Sequence, residues 1–257
     1  MQARQFPMQR GLEWLREGVG LWRRNPALLT FASFGYLLIL LILSSVPLIG
    51  QAAASLIMPV LSLGVLNTCR TIDEGRKGGP DLLFSGFKTN LGSLVAIGGI
   101  YLVASLLVIL ITSLVDGGAL MSVLRSATMV EEGTPPPNLT FSLLTALTLS
   151  TPVIMAYWFA PVLAGWWQQP AAKAMFFSFY ACLRNWRPFV AYAVTMLIMI
   201  GVLPSLLIAF VGTIVPPLST LLVLVLPLFL VPVVFASFYI NARDVFGPTA
   251  VDERIGD

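Results

Sequence analysis

LLIAFVGTIVPPLSTLLVLVLPLFLVPVVFASFYI, at residues 206–240, is an apolar stretch without a charged side chain. A single helix of this length would measure about 50 Å at 1.5 Å per residue, whereas the hydrocarbon core of a bilayer is about 30 Å thick. The pair Pro216 and Pro217 interrupts the stretch with residues typical of a tight turn. The stretch therefore predicts two membrane spans that meet at this turn.

The rest of the chain is also rich in apolar residues. Hydrophobic residues make up 57% of the sequence and charged residues 11%, which is too little polar material to cover a soluble globule. Six apolar runs of about 18 to 26 residues can each cross a bilayer as a helix. They are residues 28–45, 48–66, 91–114, 143–166, 189–214 and 218–240. We therefore predict an all-α, polytopic transmembrane helix bundle with six spans, in a single integral membrane domain over residues 1–257.

The basic residues predict the orientation of this bundle. Of the 15 Lys and Arg residues, only Arg125 falls in a connection that follows an odd-numbered span. Because positive charge is retained on the cytoplasmic side during insertion, we expect both termini in the cytoplasm. A basic inner face also predicts contact with anionic lipid headgroups. The charges are dispersed over several short connections without a basic block, so no nucleic-acid partner is expected.

The sequence also contains a repeated pattern. Each odd span follows a segment that ends near an asparagine, at Asn25, Asn90 and Asn185, and three even spans each contain a Pro-Val pair. We interpret the chain as three units of interfacial amphipathic helix, span and span. The units cover approximately residues 8–75, 80–168 and 169–246, with an outer insertion at 116–140 and a C-terminal tail at 247–257. An alignment of Asn25 with Asn185 competes with one of Trp22 with Trp186.

The first interfacial segment has a clear helical period. Its apolar residues recur at steps of four and three: Met8, Leu12, Leu15, Val19 and Trp22. Arg10, Glu13, Glu17 and Arg24 fall on the opposite side, which is typical of a helix that lies among lipid headgroups. We expect such a helix to anchor the bundle rather than to bind a partner.

A group of basic and amide residues recurs before spans one and five. It consists of Arg23, Arg24, Asn25, Arg184, Asn185 and Arg187. Guanidinium groups match phosphate oxygens, so this group is a candidate lipid-headgroup site. The alternative is that the arginines are anchors whose heads extend to the interface, and we favour this reading because the distribution of positive charge already requires basic residues there.

Prolines inside the even spans form a second candidate site. Pro59, Pro161 and Pro232 each remove a backbone donor and predict a kink, with a carbonyl left unpaired four residues earlier. Such carbonyls could line a cavity for a cation or a polar solute. The favoured alternative is a simple kink whose loose carbonyl contacts a neighbouring helix.

The residues needed for most catalysis are missing from the sequence. It contains no histidine, and its adjacent carboxylates, Asp73-Glu74 and Glu131-Glu132, have no His or Cys to complete a catalytic or metal site. We therefore expect no catalytic, cofactor-binding or metal site. The absence of ionisable residues from the six runs also disfavours an ion-driven pump.

Three motifs carry a resemblance: RRNP at residues 23–26, CLRNWRPF at 182–189 and ASFYINARDVF at 236–246. As a set they resemble motifs of an uncharacterised family of six-span proteobacterial inner-membrane proteins. The resemblance implies a bacterial inner membrane, and it implies no catalytic residue because the family has no established activity.

These observations favour a non-enzymatic protein that acts as a scaffold, an assembly factor or a membrane-organising component. Its expected partners are membrane lipids, together with another membrane protein or a second copy of the chain. The alternative is a passive or lipid-handling permease that uses the kinked even spans. A polar, open crevice lined by Pro59, Pro161 and Pro232 would favour the permease, whereas a closely packed bundle would favour the scaffold.

Overall fold

The computed structural model describes residues 3–118, 121 and 139–247, and within these ranges the regular structure is entirely helical. A 3-10 segment covers Pro80–Lys88, and a π-helical segment covers Leu197–Val202. The α-helices are α1 Arg10–Arg24, α2 Pro26–Ser44, α3 Ile49–Asp73, α4 Leu91–Asp116, α5 Leu139–Trp158, α6 Ala160–Trp166, α7 Ala171–Arg184, α8 Trp186–Met196, α9 Leu203–Ile214 and α10 Pro216–Phe246.

Six helical stretches in the described ranges are long and apolar enough to cross a membrane, which confirms the predicted six-span bundle. They are Pro26–Ser44, Ile49–Asp73, Leu91–Asp116, Leu139–Trp166, Trp186–Ile214 and Pro216–Phe246. The fourth span combines α5 and α6, and the fifth combines α8, the π-helical segment and α9. Spans two and six, formed by α3 and α10, continue past their apolar runs, because Asp73 and Arg243 near their ends pair with each other.

Most of the predicted outer insertion and C-terminal tail, including Arg125, lies outside the described residues. The segments before the three odd spans are a helix (α1), the 3-10 segment and a helix (α7). The repeat of three units, each with an interfacial helix and two spans, stays a prediction.

Both ends of the described chain lie at the same end of the bundle. The backbone N–H of Arg4 donates to the carbonyl of Val245 at 2.9 Å, as an even number of spans requires. We call this the basic end. The buried residues of α3 and α10 concentrate toward it, from Pro59 and Pro232 onward, and α9 contributes none. The protein core therefore lies at the basic end, while the far halves of spans five and six present apolar side chains outward.

Helix α1 packs closely against α8 and α10 at two glycines. A Cβ atom at Gly11 would lie 2.2 Å from the carbonyl oxygen of Pro188, and one at Gly18 would lie 2.8 Å from the backbone nitrogen of Ser237. Trp14 and Leu15 are buried between them. The buried face of α1 therefore differs from the predicted apolar stripe. Contact with backbone at the two glycines decides which face of the helix packs, and a hydrophobic pattern does not register such contact.

The fourth span breaks at Phe159, two residues before Pro161. The hydroxyl of Ser178 in α7 occupies the break: it accepts from the backbone N–H of Phe159 at 2.8 Å and donates to the carbonyl of Met155 at 2.7 Å. A direct helical hydrogen bond would join these two backbone groups. Ser178 therefore satisfies the broken turn and ties α7 to the span.

Replacement of Ser178 by Ala is expected to lower the free energy of unfolding by about 2 kcal/mol, because the Phe159 N–H loses its partner and the Met155 carbonyl keeps only the long contact from the Cys182 thiol. A thiol-reactive dye can measure this in detergent, since Cys69 and Cys182 are both free and buried. Burial also raises the pKa of the Cys182 thiol to about 12, which keeps it protonated and unreactive near neutral pH until the fold opens. Thr148→Ala, which removes an exposed hydroxyl, is the control and should leave the melting temperature unchanged.

Candidate functional site

An ion-pair cluster at the basic end joins the ends of three helices, and we call it the Asp73 cluster. Asp73, at the end of α3, accepts hydrogen bonds from the Tyr239 hydroxyl at 3.0 Å and from Arg243 Nη1 at 2.7 Å, both in α10. Arg24, at the end of α1, donates to Asp73 Oδ1 at 3.1 Å. The carboxylate is mostly buried and receives charge-assisted hydrogen bonds, which are the stronger kind.

A second group of ion pairs lies next to the Asp73 cluster, around Arg10. Its Nε donates to Asp244 at 2.6 Å, and its Nη1 donates to Glu13 and Glu17 of α1. The indole N–H of Trp14 donates to Asp244 at 2.9 Å. The hydrogen bond to Asp244 is the main reason that the pKa of Arg10 is raised above its usual value. Because Arg243 also contacts Glu17 at 3.3 Å, the two groups form one network.

Sequence reasoning placed Arg10, Glu13 and Glu17 on one side of α1 but did not pair them. The sequence did contain one indication that Asp73 and Arg243 are related, since both follow a Pro-Val pair near the end of an even span. The pairing itself joins residues far apart in the chain, so only the fold reveals it. Its role is to hold α1, α3 and α10 together.

The six predicted headgroup residues take different positions. Arg23, Arg184 and Arg187 are exposed, and the guanidinium carbon of Arg187 lies 5.5 Å from the centre of the Trp186 ring. Arg24 belongs to the Asp73 cluster. Lipid binding by these residues stays a prediction.

The two asparagines of this group are not equivalent. Asn25 caps α2 from an exposed position, accepting from the backbone N–H of Leu28 at 3.2 Å. Asn185 is fully buried. It accepts from the N–H of Phe6 at 3.0 Å and donates to the carbonyls of Arg4 at 2.9 Å and Ala181 at 3.1 Å. Asn185 thus fixes the N-terminal segment across the basic end.

The different positions of Asn185 and Asn25 predict unequal losses of stability when each is substituted. Asn185→Ala should lower the free energy of unfolding by about 2 kcal/mol, because it leaves buried backbone groups unsatisfied. Asn25→Ala should cost about 1 kcal/mol, the usual value for a helix cap. Melting curves of both variants in detergent test this order. Equal losses of stability would contradict the distinction between Asn185, which holds the N-terminal segment, and Asn25, which caps a helix.

The three predicted kink prolines, Pro59, Pro161 and Pro232, are all buried. The carbonyl of Ser55, four residues before Pro59, faces Gly98 of α4, where a Cβ would lie 2.4 Å away. This carbonyl therefore contacts a neighbouring helix. Helices α3 and α10 continue through Pro59 and Pro232.

Comparison with known proteins gives one informative relative. The chain is 34% identical over 199 residues, which are 75% of this chain and 74% of the relative, to a protein of Burkholderia thailandensis named as a probable inner membrane protein. No family model matches the chain, and no solved structure matches it. The identity and its coverage agree with the resemblance of the three motifs and with a multi-pass location in the inner membrane. The chain belongs to the family of that probable inner membrane protein.

Proposed function

We propose that this protein is a non-enzymatic scaffold, assembly or organising component of the bacterial inner membrane. In this proposal the basic end faces the cytoplasm, both termini are cytoplasmic, and the basic residues contact anionic lipid headgroups. The partners are lipids and either another membrane protein or a second copy of the chain. The observation that carries the proposal is the close packing of the basic end, where Pro59, Pro161 and Pro232 are all buried.

Close packing supports a scaffold for a physical reason. A passage through the even spans would need the carbonyls before the prolines to face a polar space. Instead, the Ser55 carbonyl meets Gly98, and the Ser178 hydroxyl occupies the break before Pro161. The network around Asp73 and Arg10 further fixes α1 against the spans.

The partner surface in this proposal is the hairpin of α9 and the first half of α10. Helix α9 packs mainly on α10 and the π-helical segment, so it makes little contact with the other spans. Leu206 and Leu224 are among its most exposed residues, at 61% and 67%. Helices associate in lipid through packing rather than through the hydrophobic effect, and a hairpin that lacks internal neighbours can supply such packing.

A passive permease remains the second candidate, because three buried hydroxyls among the described residues lack a hydrogen-bond partner. They are Ser33 Oγ, Thr112 Oγ1 and Tyr157 Oη. The Tyr157 ring lies 4.6 Å from that of Tyr101, centre to centre. A buried hydroxyl without a protein partner would suit a small polar solute.

Photocrosslinking in the native membrane tests the scaffold role. A photoreactive amino acid at 206 or 224 should give one protein adduct of discrete mass, identified by mass spectrometry. The control position is Leu41 of α2, which is exposed to 69% but belongs to a helix that packs on α3 and α10, and it should give lipid adducts only. A monomer without protein adducts that carries polar solutes across liposome membranes would overturn the scaffold in favour of the permease.

A further inference from the structure

A groove of about 440 Å³ runs between α1, the fifth span and the sixth span. On the α1 side, Arg16 and Arg23 stand beside the apolar residues Leu12, Leu15 and Val19, with Gly20 between them. The opposite wall belongs to the spans and contains Thr195, Met199, Ile200, Phe229, Leu230 and Val233. The groove therefore combines a cationic edge with a hydrocarbon wall.

No carboxylate among the described residues forms an ion pair with the cationic edge. The other arginines of α1 are paired, Arg10 with Asp244 and Arg24 with Asp73. Arg16 and Arg23 are exposed, and the ion pairs found among the described residues include neither. They are seven positions apart, which places them on the same side of α1, about 10 Å apart along its axis. Two unneutralised guanidinium groups thus line one edge of the groove.

The apolar wall is shaped by irregular backbone. Met199 and Ile200 lie in the π-helical segment of span five, and such segments widen a helix locally and occur often at functional sites. On α1, Gly20 leaves the groove open, since a Cβ there would meet nothing within 4 Å. Gly11 and Gly18 behave differently, as both are pressed against backbone. Gly20 therefore serves neither packing nor a turn, and its missing side chain adds space to the groove.

We propose that this groove binds one anionic glycerophospholipid, with its phosphate on Arg16 and Arg23 and an acyl chain along Met199, Phe229 and Val233. Guanidinium groups bind phosphate oxygens by paired hydrogen bonds, and the apolar wall lies where an acyl chain would leave the headgroup layer. The inference rests on the proposed contact between the basic end and anionic lipids, and gives that contact a defined site.

Native mass spectrometry of the purified full-length chain tests the site. The protein is mixed in detergent with equal amounts of phosphatidylglycerol and phosphatidylcholine, and the lipids retained are counted. The wild type should retain one phosphatidylglycerol. Arg16→Gln/Arg23→Gln should lower its preference for phosphatidylglycerol roughly 30-fold, the loss expected for two basic groups near a headgroup. Gly20→Leu, which fills the groove and keeps both charges, should abolish retention.

The matched control removes two exposed lysines outside the groove, Lys77→Gln/Lys88→Gln. It should bind as the wild type does. An equal loss of lipid preference in this control would overturn the groove as the binding site. It would leave a general attraction of the basic end to anionic lipids. No preference for phosphatidylglycerol in the wild type would overturn both. Retention in Gly20→Leu, or a dimer that forms through the groove and disappears in that variant, would likewise overturn the proposal.

Discussion

The double variant Gly11→Ala/Gly18→Ala should lower the free energy of unfolding by about 4 kcal/mol, the largest effect that the structure predicts. The added methyl groups would lie 2.2 Å from the Pro188 carbonyl oxygen and 2.8 Å from the Ser237 nitrogen. Backbone cannot move aside as a flexible side chain can, so α1 must separate from α8 and α10. In a thermal melt followed with a thiol-reactive dye, the midpoint should fall by about 10 °C.

The control for this prediction lies in the same helix. Gly20→Ala adds its methyl group where no atom lies within 4 Å. Since Ala favours a helix over Gly by about 1 kcal/mol, this variant should melt at or above the wild-type temperature. A double variant that melts like Gly20→Ala would show that the two glycine contacts do not hold α1 in place.

The second large effect is expected for Asp73→Asn, at about 3 kcal/mol of lost stability. The substitution removes the charge that Arg243 and Arg24 share, and it leaves a half-buried guanidinium without its main counter-ion. Removal of one partner from a largely buried ion pair is costly because the other charge stays desolvated. Melting of the variant at low and high salt measures the loss.

Glu74→Gln, one residue further on, is the matched control. Glu74 pairs with Arg70 and Arg76 at the more exposed tip of α3. Exposed pairs contribute about 0–1 kcal/mol and are weakened by salt. We therefore expect a small loss for Glu74→Gln that vanishes in high salt, and a loss for Asp73→Asn that persists. Equal losses for both variants would contradict the central role of the Asp73 cluster.

The six spans were predictable because membrane insertion depends on composition, which the sequence states directly. The stretch at residues 206–240 needed two crossings by length alone, and the structure places a turn at Val215 between α9 and α10. Span ends were less accurate. Helix α3 continues to Asp73 beyond its apolar run, since its last turn is stabilised by contacts with α1 and α10 rather than by lipid.

The contacts of α1 could not be derived in the same way. Gly11 and Gly18 carry no signal in a hydrophobic pattern, although they decide which face of the helix packs. The pairing of Arg10 with Asp244 joins the two ends of the chain, and no local rule specifies it.

The three asparagines of the repeated pattern show the same limit. They share a sequence context but act differently: Asn25 caps a helix, Asn90 donates to the carbonyls of Ala164 and Gln169, and Asn185 holds the N-terminal segment. Local sequence predicted their place before the odd spans, whereas their partners depend on neighbouring helices.

Labelling of introduced cysteines tests most directly the central claim, that the basic end faces the cytoplasm. The native Cys69 and Cys182 are buried and contribute little background. A membrane-impermeant maleimide added to intact spheroplasts should label Thr128→Cys, in the connection after span three, and should label Lys77→Cys only after the membrane is opened. Labelling of Lys77→Cys in intact spheroplasts with protection of Thr128→Cys would contradict the account.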